Sequence, residues 1–323
     1  MTMTTAGSSL LTRAELWSSE LKETLTADLF ATGYVDWMTE FPDGTQFTVP
    51  SVGDAQVDDY SEDSAITYRP LDTGEWTFTI DEYLSSGTYI TRKNEQDMFY
   101  TNQLVSSFVP KQRRAIMEHV ETTVLSKPEV ILGATANGQY AINSAYHRMS
   151  GGNAGKIEVA DFAYALYALK KANVPQSNLI AIVDPSVEYT INTLSNLVSV
   201  SDNPRWEGIV ADGIATGMKF VKNVYGFDVY TSNYLPEDVD DSALPEKDGS
   251  TTNDFSSTNG VANYFFSAAG DVIPWKGAWR QEPMVDAEWN KDFQRTEFVT
   301  TARYGTKLYR PENMVSIITT PSV

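Results

Sequence analysis

Apolar residues recur at helical spacing over residues 94–126, which is the most strongly patterned stretch of the chain. The apolar positions are Met98, Val105, Phe108, Ile116, Val120 and Val124. They form a stripe along one face and predict a single long helix, straight or bent once. We expect Asn94 to cap its first turn and Pro128 to stop it.

Pro110 lies inside this predicted helix. Proline removes one backbone N–H and clashes with the preceding turn, so the helix either bends there or a second helix begins at Pro110. A continuous helix would be roughly 50 Å long, which exceeds the needs of a compact domain. Both alternatives make this stretch a scaffold element.

The first 43 residues begin with small polar side chains and then predict an amphipathic helix over residues 13–29. Tyr34, Trp37 and Phe41 follow as an aromatic cluster. Two alternatives remain open for them, docking on the same subunit or docking on a neighbouring subunit.

Residues 44–75 alternate β-favouring runs, at 46–49 and 65–68, with proline, glycine and aspartate. Seven acidic residues lie between Asp54 and Glu75, against the single base Arg69. Large apolar residues are few, so this segment has no core of its own. It predicts a two-stranded excursion, which is marginal in water unless another chain covers it.

The rest of the chain predicts a mixed α+β protein. Strands are expected at 76–80, 88–91, 179–183, 218–221, 227–231, 261–267, 284–289, 297–303, 307–309 and 314–318, and helices at 158–171 and 186–197. Residues 133–155 and 237–259 predict loops, the second exposed and mobile, and residues 271–278 a short helix or turn. We expect the first and last thirds to share one sheet, with the middle inserted between them.

Charge and composition exclude several classes of protein. The chain has 323 residues and a net charge of −19, without a strongly basic region, so direct affinity for DNA or RNA is not expected. Its lack of cysteine excludes disulfides and thiolate chemistry. No apolar run reaches the ~18 residues of a membrane span, and no signal-peptide core is present, so we expect a soluble chain made in the cytoplasm.

No catalytic, cofactor-binding or metal site is predicted. His119 lies beside the apolar stripe of the long helix, and His147 is the other histidine. The run at 151–156 (GGNAGK) departs from a phosphate-binding loop in glycine spacing and in having Ile157 where serine or threonine is needed.

Two acidic pairs, Asp58/Asp59 and Asp240/Asp241, lack the spacing of a calcium-binding loop and are predicted to be solvated surface charge. Carboxylate pairs for glycoside hydrolysis meet only in three dimensions, and none stands out in a chain so rich in acidic residues. We therefore expect a protein that is not an enzyme.

The order of several local strings resembles a known family. The strings are residues 44–75, then WTFTIDEY at 76–83 and the long helix, LIAIVDPSVEYTINTL at 179–194, and TARYGTKLYRPENMVSII at 301–318. In the last string, a Tyr-Gly turn and an Arg-Pro-Glu turn are expected to separate closing strands. The chain resembles the tailed-phage major capsid proteins of the Hong Kong 97-like family over residues 30–320.

The resemblance implies an α+β fold in four parts. These are an N-terminal arm (1–43), an extended loop (44–75), a peripheral domain (76–134 and 280–323) with the spine helix (94–126), and an axial domain (135–279). It also implies self-assembly into hexamers and pentamers of an icosahedral head that encloses double-stranded DNA. A virion location follows, with assembly in the host cytoplasm and without a membrane.

One departure concerns cross-linking. Some members join subunits covalently through a lysine of the extended loop, but residues 44–75 contain no lysine. We therefore expect a non-covalent shell, with a separate scaffold protein, a portal and possible help from a decoration protein. The alternative interpretations are a phage decoration or tail protein and, less favoured, an acidic carbohydrate-active enzyme.

Overall fold

The computed structural model describes most of the chain after residue 27. The described residues are 28–38, 44, 46–53, 57–59, 61–63, 65–66, 68–70, 73–97, 101–134, 139–152, 155–193, 223–240, 243–247, 249 and 259–321. The predictions of a helix over 13–27, of a role for Phe41 and of a strand at 218–221 lie outside them.

The described residues form an α+β structure. The strands are β1 (Val35–Met38), β2 (Gln46–Val52), β3 (Thr73–Thr79), β4 (Glu82–Thr91), β5 (Ala141–Ile142), β6 (Ala145–Tyr146), β7 (Arg148–Ser150), β8 (Leu179–Val183), β9 (Asn223–Val224), β10 (Phe227–Thr231), β11 (Val261–Ser267), β12 (Trp275–Asn290), β13 (Arg295–Leu308) and β14 (Val315–Thr319). The helices are α1 (Arg92–Asp97), α2 (Thr101–Leu132), α3 (Val159–Lys171) and α4 (Pro185–Thr193), with 3-10 turns at Ala31–Tyr34, Gly270–Val272 and Pro311–Asn313.

A four-stranded sheet joins the two ends of the chain, in the order β1-β12-β13-β4. Its centre is the long antiparallel hairpin of β12 and β13, on which β4 pairs along ten residues. The prediction that the first and last thirds share a sheet is confirmed for these strands. The predicted strands at 297–303 and 307–309 are joined in one strand, β13, which ends at Leu308.

A six-stranded sheet, in the order β7-β14-β11-β8-β10-β9, holds the middle of the chain. The prediction that the last third of the chain shares a sheet with the first third is wrong for the last strand. Strand β14 pairs with β11 and β7 of this six-stranded sheet and not with the four-stranded sheet. All five residues of β14 are buried, and so are all those of β8 and β11. An apolar strand of this kind is most stable at the centre of a covered sheet.

A long helix is confirmed over Thr101–Leu132, and its predicted ends are corrected; residues 98–100, between α1 and α2, lie outside the described residues. Thr91, not Asn94, caps α1, because its Oγ1 accepts a hydrogen bond from the Asn94 N–H at 3.4 Å. Pro110 and Pro128 both lie inside α2, so Pro110 does not begin a helix and Pro128 does not end one. The helix continues to Leu132 because that side chain is fully buried in the core.

Two predicted loops contain more structure than expected. Residues 133–155 include the short strands β5, β6 and β7, and β7 is fully buried. In the described part of 237–259, Val239 pairs with Gly260 and Leu244 is buried. The short helix or turn predicted at 271–278 is confirmed only at its start, by the 3-10 turn Gly270–Val272, because β12 already begins at Trp275.

Candidate assembly surfaces

A two-stranded hairpin, β2 and β3 with the residues between them, leaves the main body. Its register runs from Gln46 opposite Thr79 to Val52 opposite Thr73. The prediction of a strand at 65–68 is wrong, because the described residues there have no regular structure and β3 is the partner. Since β3 crosses the boundary expected between residues 75 and 76, the hairpin and the following strand are one element.

Packing of β3 fixes the root of the hairpin. Phe78 is fully buried and forms a small core cluster with Ile80 and Ala278. The Trp76 ring centroid lies 5.8 Å from that of Phe78 and 4.8 Å from that of Tyr309. This root is therefore anchored on the subunit's own β12–β13 sheet.

Gly305 allows β3 to cross this sheet. A Cβ atom at Gly305 would lie 2.5 Å from the carbonyl oxygen of Thr79 and 3.0 Å from the Cα of Ile80. The predicted Tyr-Gly turn is thus wrong: Gly305 lies within β13, and its lack of a side chain permits close backbone approach. The Arg-Pro-Glu turn is confirmed by the 3-10 turn before β14.

Beyond the root, apolar side chains of the hairpin face water. Val52 is 67% exposed, Val57 95%, Ile66 64% and Tyr68 90%. The described polar contacts include an ion pair of 3.0 Å between Arg69 and Asp58, both about half exposed. Covering these side chains would be favourable by about 25 cal/mol per Å² of apolar surface. The distal hairpin thus has the chemistry of a surface that another molecule covers.

A buried carboxylate on α2 holds the arm at its first described residues. Glu121 is fully buried and accepts three backbone hydrogen bonds, from Phe30 at 2.8 Å, Ala31 at 2.7 Å and Thr32 at 2.9 Å. These amides open the 3-10 turn Ala31–Tyr34, where free N–H groups favour a negative charge. The arm is therefore tied to its own long helix.

Aromatic contacts complete this docking. The Tyr34 ring lies 5.6 Å from that of Phe266, and Trp37 stacks on Trp279 at 4.8 Å. Strand β1 also pairs in parallel with the start of β12. Of the two alternatives, residues 28–38 dock on the same subunit.

The long helix contacts both sheets through polar groups as well as through its apolar stripe. Gln112 donates to Thr88 Oγ1 at 2.7 Å and accepts from Thr300 Oγ1 at 3.1 Å. Near the other end, Glu129 Oε2 lies 2.8 Å from Arg148 Nε, and both side chains are largely buried. These contacts connect α2 to β4 and β13 of one sheet and to β7 of the other.

A second buried carboxylate anchors the acidic segment that precedes β11. Asp161 Oδ2 accepts from the Glu158 and Gly152 amides at 2.7 and 3.1 Å, and Lys247 Nζ lies 3.6 Å from Oδ1. Lys247 also pairs with Glu158. Burial raises the pKa of Asp161, and the amides and Lys247 oppose that shift. Lys247 thus fixes its segment to the start of α3.

The histidines and the glycine-rich run have structural surroundings. His119 is exposed on α2, whereas His147 is buried with Nδ1 2.9 Å from the Met314 carbonyl oxygen. Burial lowers the pKa of His147. Gly151 donates its N–H to Ile318 at 2.7 Å, which makes it part of the sheet edge.

The described chain offers no obvious chemistry for catalysis. Within it, no group of three or more histidine and acidic side chains is placed to hold a metal ion. No helix among the same residues is long and apolar enough to cross a membrane. Asp58 of the first acidic pair contacts Arg69, and Asp241 of the second lies outside the described residues.

The described residues form two sheets, a long helix that contacts both and a hairpin whose distal apolar side chains are exposed. A family model described as phage capsid protein matches residues 74–317. The chain therefore belongs to the phage capsid protein family.

Solved capsid structures share this fold. The structure from Mycobacterium phage Che8 has a TM-score of 0.69 and 16% identity, with 94% of this chain and 96% of that chain covered. The cyanophage P-SCSP1u capsid has a TM-score of 0.72 and 16% identity, with 98% and 94% covered. The capsid of the native GTA particle has a TM-score of 0.67 and 12% identity, with 98% and 97% covered.

No curated protein sequence matches the chain. The resemblance to tailed-phage capsid proteins is confirmed by the family match and the fold, whereas the narrower Hong Kong 97-like assignment stays a prediction. The family match also disfavours the interpretations as a phage decoration or tail protein and as a carbohydrate-active enzyme.

Proposed function

We propose that this capsid protein is the main subunit of an icosahedral phage head, in which it assembles into hexamers and pentamers around double-stranded DNA. The observation that carries the proposal is the β2–β3 hairpin, with a root buried on its own subunit and a distal part that exposes Val57 and Tyr68. Identical subunits in a closed shell supply the missing cover through head-to-tail contacts repeated around each ring. The same role leaves no need for a catalytic site, in keeping with a protein that is not an enzyme.

The domain division belongs to this proposal. Residues 1–43 form the arm, 44–75 the extended loop, 76–134 and 280–323 the peripheral domain, and 135–279 the axial domain. The four-stranded sheet with α2 supports a peripheral unit, and the six-stranded sheet with α3 and α4 supports an axial unit. Strand β14 connects the two, because its residues lie in the axial sheet.

The negative net charge of the chain is consistent with a shell that encloses DNA. A net charge of −19 disfavours adhesion to a polyanion, so the shell encloses its DNA without sequence-specific binding. A portal, a separate scaffold protein and a decoration protein are the further partners of such a head. The location is the virion, after assembly in the host cytoplasm.

Electron microscopy of the expressed protein tests the main proposal. We expect closed particles, or rings of five and six subunits, with megadalton mass in solution. A monodisperse monomer under all assembly conditions, including co-expression with the scaffold protein, would contradict it.

Denaturing gels of the same particles test the non-covalent character of the shell. Since residues 44–75 have no lysine, boiled particles should give a single band at the 35.8 kDa of the chain. A ladder of linked subunits that survives boiling would show that another residue forms the cross-link.

A further inference from the structure

The two edges of the four-stranded sheet differ in their chemistry. Strand β4 forms one edge and pairs only with β13 in the described chain. At the other edge, β1 covers Trp275 to Ala278 of β12 and leaves residues 279–290 without an outer strand among the described residues.

The part of β12 after Ala278 carries several features that prevent strand pairing. Pro283 removes a backbone donor, and register shifts interrupt the ladder on both sides of Gln281. Its charged residues are Arg280, Glu282, Asp286 and Glu288. Charges, proline and bulges on an edge strand prevent edge-to-edge association.

After Glu82, its first residue, strand β4 carries none of these features. Residues 83–91 (YLSSGTYIT) contain neither a charged residue nor a proline. The register with β13 is unbroken from Thr91 opposite Arg295 to Glu82 opposite Tyr304. A long, regular edge whose single charge lies at its first residue is the kind that pairs with another chain.

The helix α2 covers one face of β4 and leaves the other open. Thr88 faces the helix through its bond with Gln112. The alternate residues are exposed, including Tyr83 at 64% and Tyr89 at 57%. A Cβ at Gly87 would meet only Val299, at 3.8 Å. There is therefore room above the exposed face of the strand.

We propose that β4 receives a strand from a second copy of this chain, which extends the four-stranded sheet across the subunit boundary. Strand addition satisfies the outward backbone donors and acceptors of β4, and its exposed tyrosines then contact the incoming side chains. The second copy is the occupant because a shell packs identical subunits side by side, so this inference rests on the proposed function. This proposal explains the difference between the edges at β4 and β12, because only β4 has to pair with a neighbouring subunit.

Amide hydrogen exchange tests this pairing in assembled shells and in unassembled protein. Consecutive amides of a strand point to opposite edges, so about half of those in residues 82–91 should exchange at least about tenfold more slowly in shells. Residues 279–290 of β12 are the internal control and should change little. Equal exchange of β4 in both states would overturn the proposal, and so would full protection of β4 in unassembled protein.

Two neighbouring proline variants separate pairing from folding. Ser85 and Ser86 direct their amides to opposite edges, so Ser85→Pro and Ser86→Pro remove one bond to β13 and one outward donor. The proline variant that loses only the outward N–H should have a melting temperature within a few degrees of wild type but should fail to form normal shells. The variant that loses the hydrogen bond to β13 should melt at a lower temperature than wild type.

Normal shells from the thermally stable variant would overturn the proposal that β4 pairs with a second copy. If both variants unfold, the hydrogen-exchange measurement on the wild-type chain decides the question. Failure of the wild-type chain to assemble at all would instead contradict the proposed function. The two failures are therefore distinguishable.

Discussion

At the scale of single residues, Glu121 shows how a charge becomes part of the core. A fully buried carboxylate is costly unless hydrogen bonds replace its water, and three amides of the arm do so here. Both oxygens are used, Oε1 by Phe30 and Ala31 and Oε2 by Thr32. The same contact satisfies the free N–H groups of the 3-10 turn.

We expect Glu121→Gln to lower the free energy of unfolding by about 2–3 kcal/mol, because glutamine keeps one acceptor oxygen and turns an NH₂ group toward an amide donor. Glu118→Gln is the matched control on the same helix. Its i,i+4 ion pair with Arg114 is partly exposed and contributes about 0.3–0.5 kcal/mol. Denaturant titration measures both, and equal small losses would show that the arm contact contributes little.

His147 makes stability depend on pH. Burial lowers the pKa of the folded imidazole below its usual 6.5, so below that pH the unfolded chain binds a proton that the folded chain does not. Stability should therefore fall as the pH drops through 6.5 toward the folded pKa, and level off below it.

His147→Gln removes this titration. Melting temperatures compared from pH ~7.5 to pH ~5 should show the wild type losing stability relative to the variant. Parallel curves would mean that His147 takes up its proton equally in both states.

At the scale of elements, α2 carries the contact between the two sheets. Its stripe is confirmed at Ile116, Val120 and Val124, which are all buried, and Leu125 and Leu132 extend it. Phe108 is half-buried, and the side chains of Met98 and Val105 lie outside the described residues. The helix persists through Pro128 because packing of its last turn outweighs the lost bond.

Val120→Asp should lower the free energy of unfolding by at least about 3 kcal/mol, since it places an unpaired charge at a fully buried position. Thr122→Asp, two residues away on the exposed side, should stay within about 0.5 kcal/mol of wild type. Thermal melting and solubility distinguish them. Normal melting of the Val120 variant would contradict the assigned face.

At the scale of the whole molecule, the β2–β3 hairpin separates folding from assembly. Its root belongs to the core of the subunit, whereas its distal residues contribute almost no buried surface. A change confined to the distal residues should therefore leave the subunit intact and affect only contacts between subunits.

Deletion of residues 54–64 should leave the melting temperature within a few degrees of wild type and abolish normal particles. A variant with the same residues replaced by a glycine-serine linker of equal length tests whether chain length or side chains matter. Sedimentation and electron microscopy measure the outcome. Particles of normal size from the deletion variant would exclude an inter-subunit role for this segment.

The amino-acid sequence by itself determined the elements whose energetics are local. Helix α3 follows the cap residue Glu158, whose capping box with Asp161 needs only residues three apart. Strand β8 follows from five consecutive apolar residues before Asp184-Pro185. The composition of residues 44–75 also showed that they contain too few large apolar residues to form a core. It followed that another chain has to cover this segment.

Only the tertiary structure decided which distant segments meet. It gave β2 its partner β3, placed β14 in the six-stranded sheet and brought Glu121 to amides about 90 residues away in the chain. The stability of a strand pair or of a buried charge depends on contacts with groups that are distant in the sequence. The residue types alone do not specify which of those groups become partners. The contrast between the edges of β4 and β12 arises in the same way, since only the sheet order shows which strands have an open side.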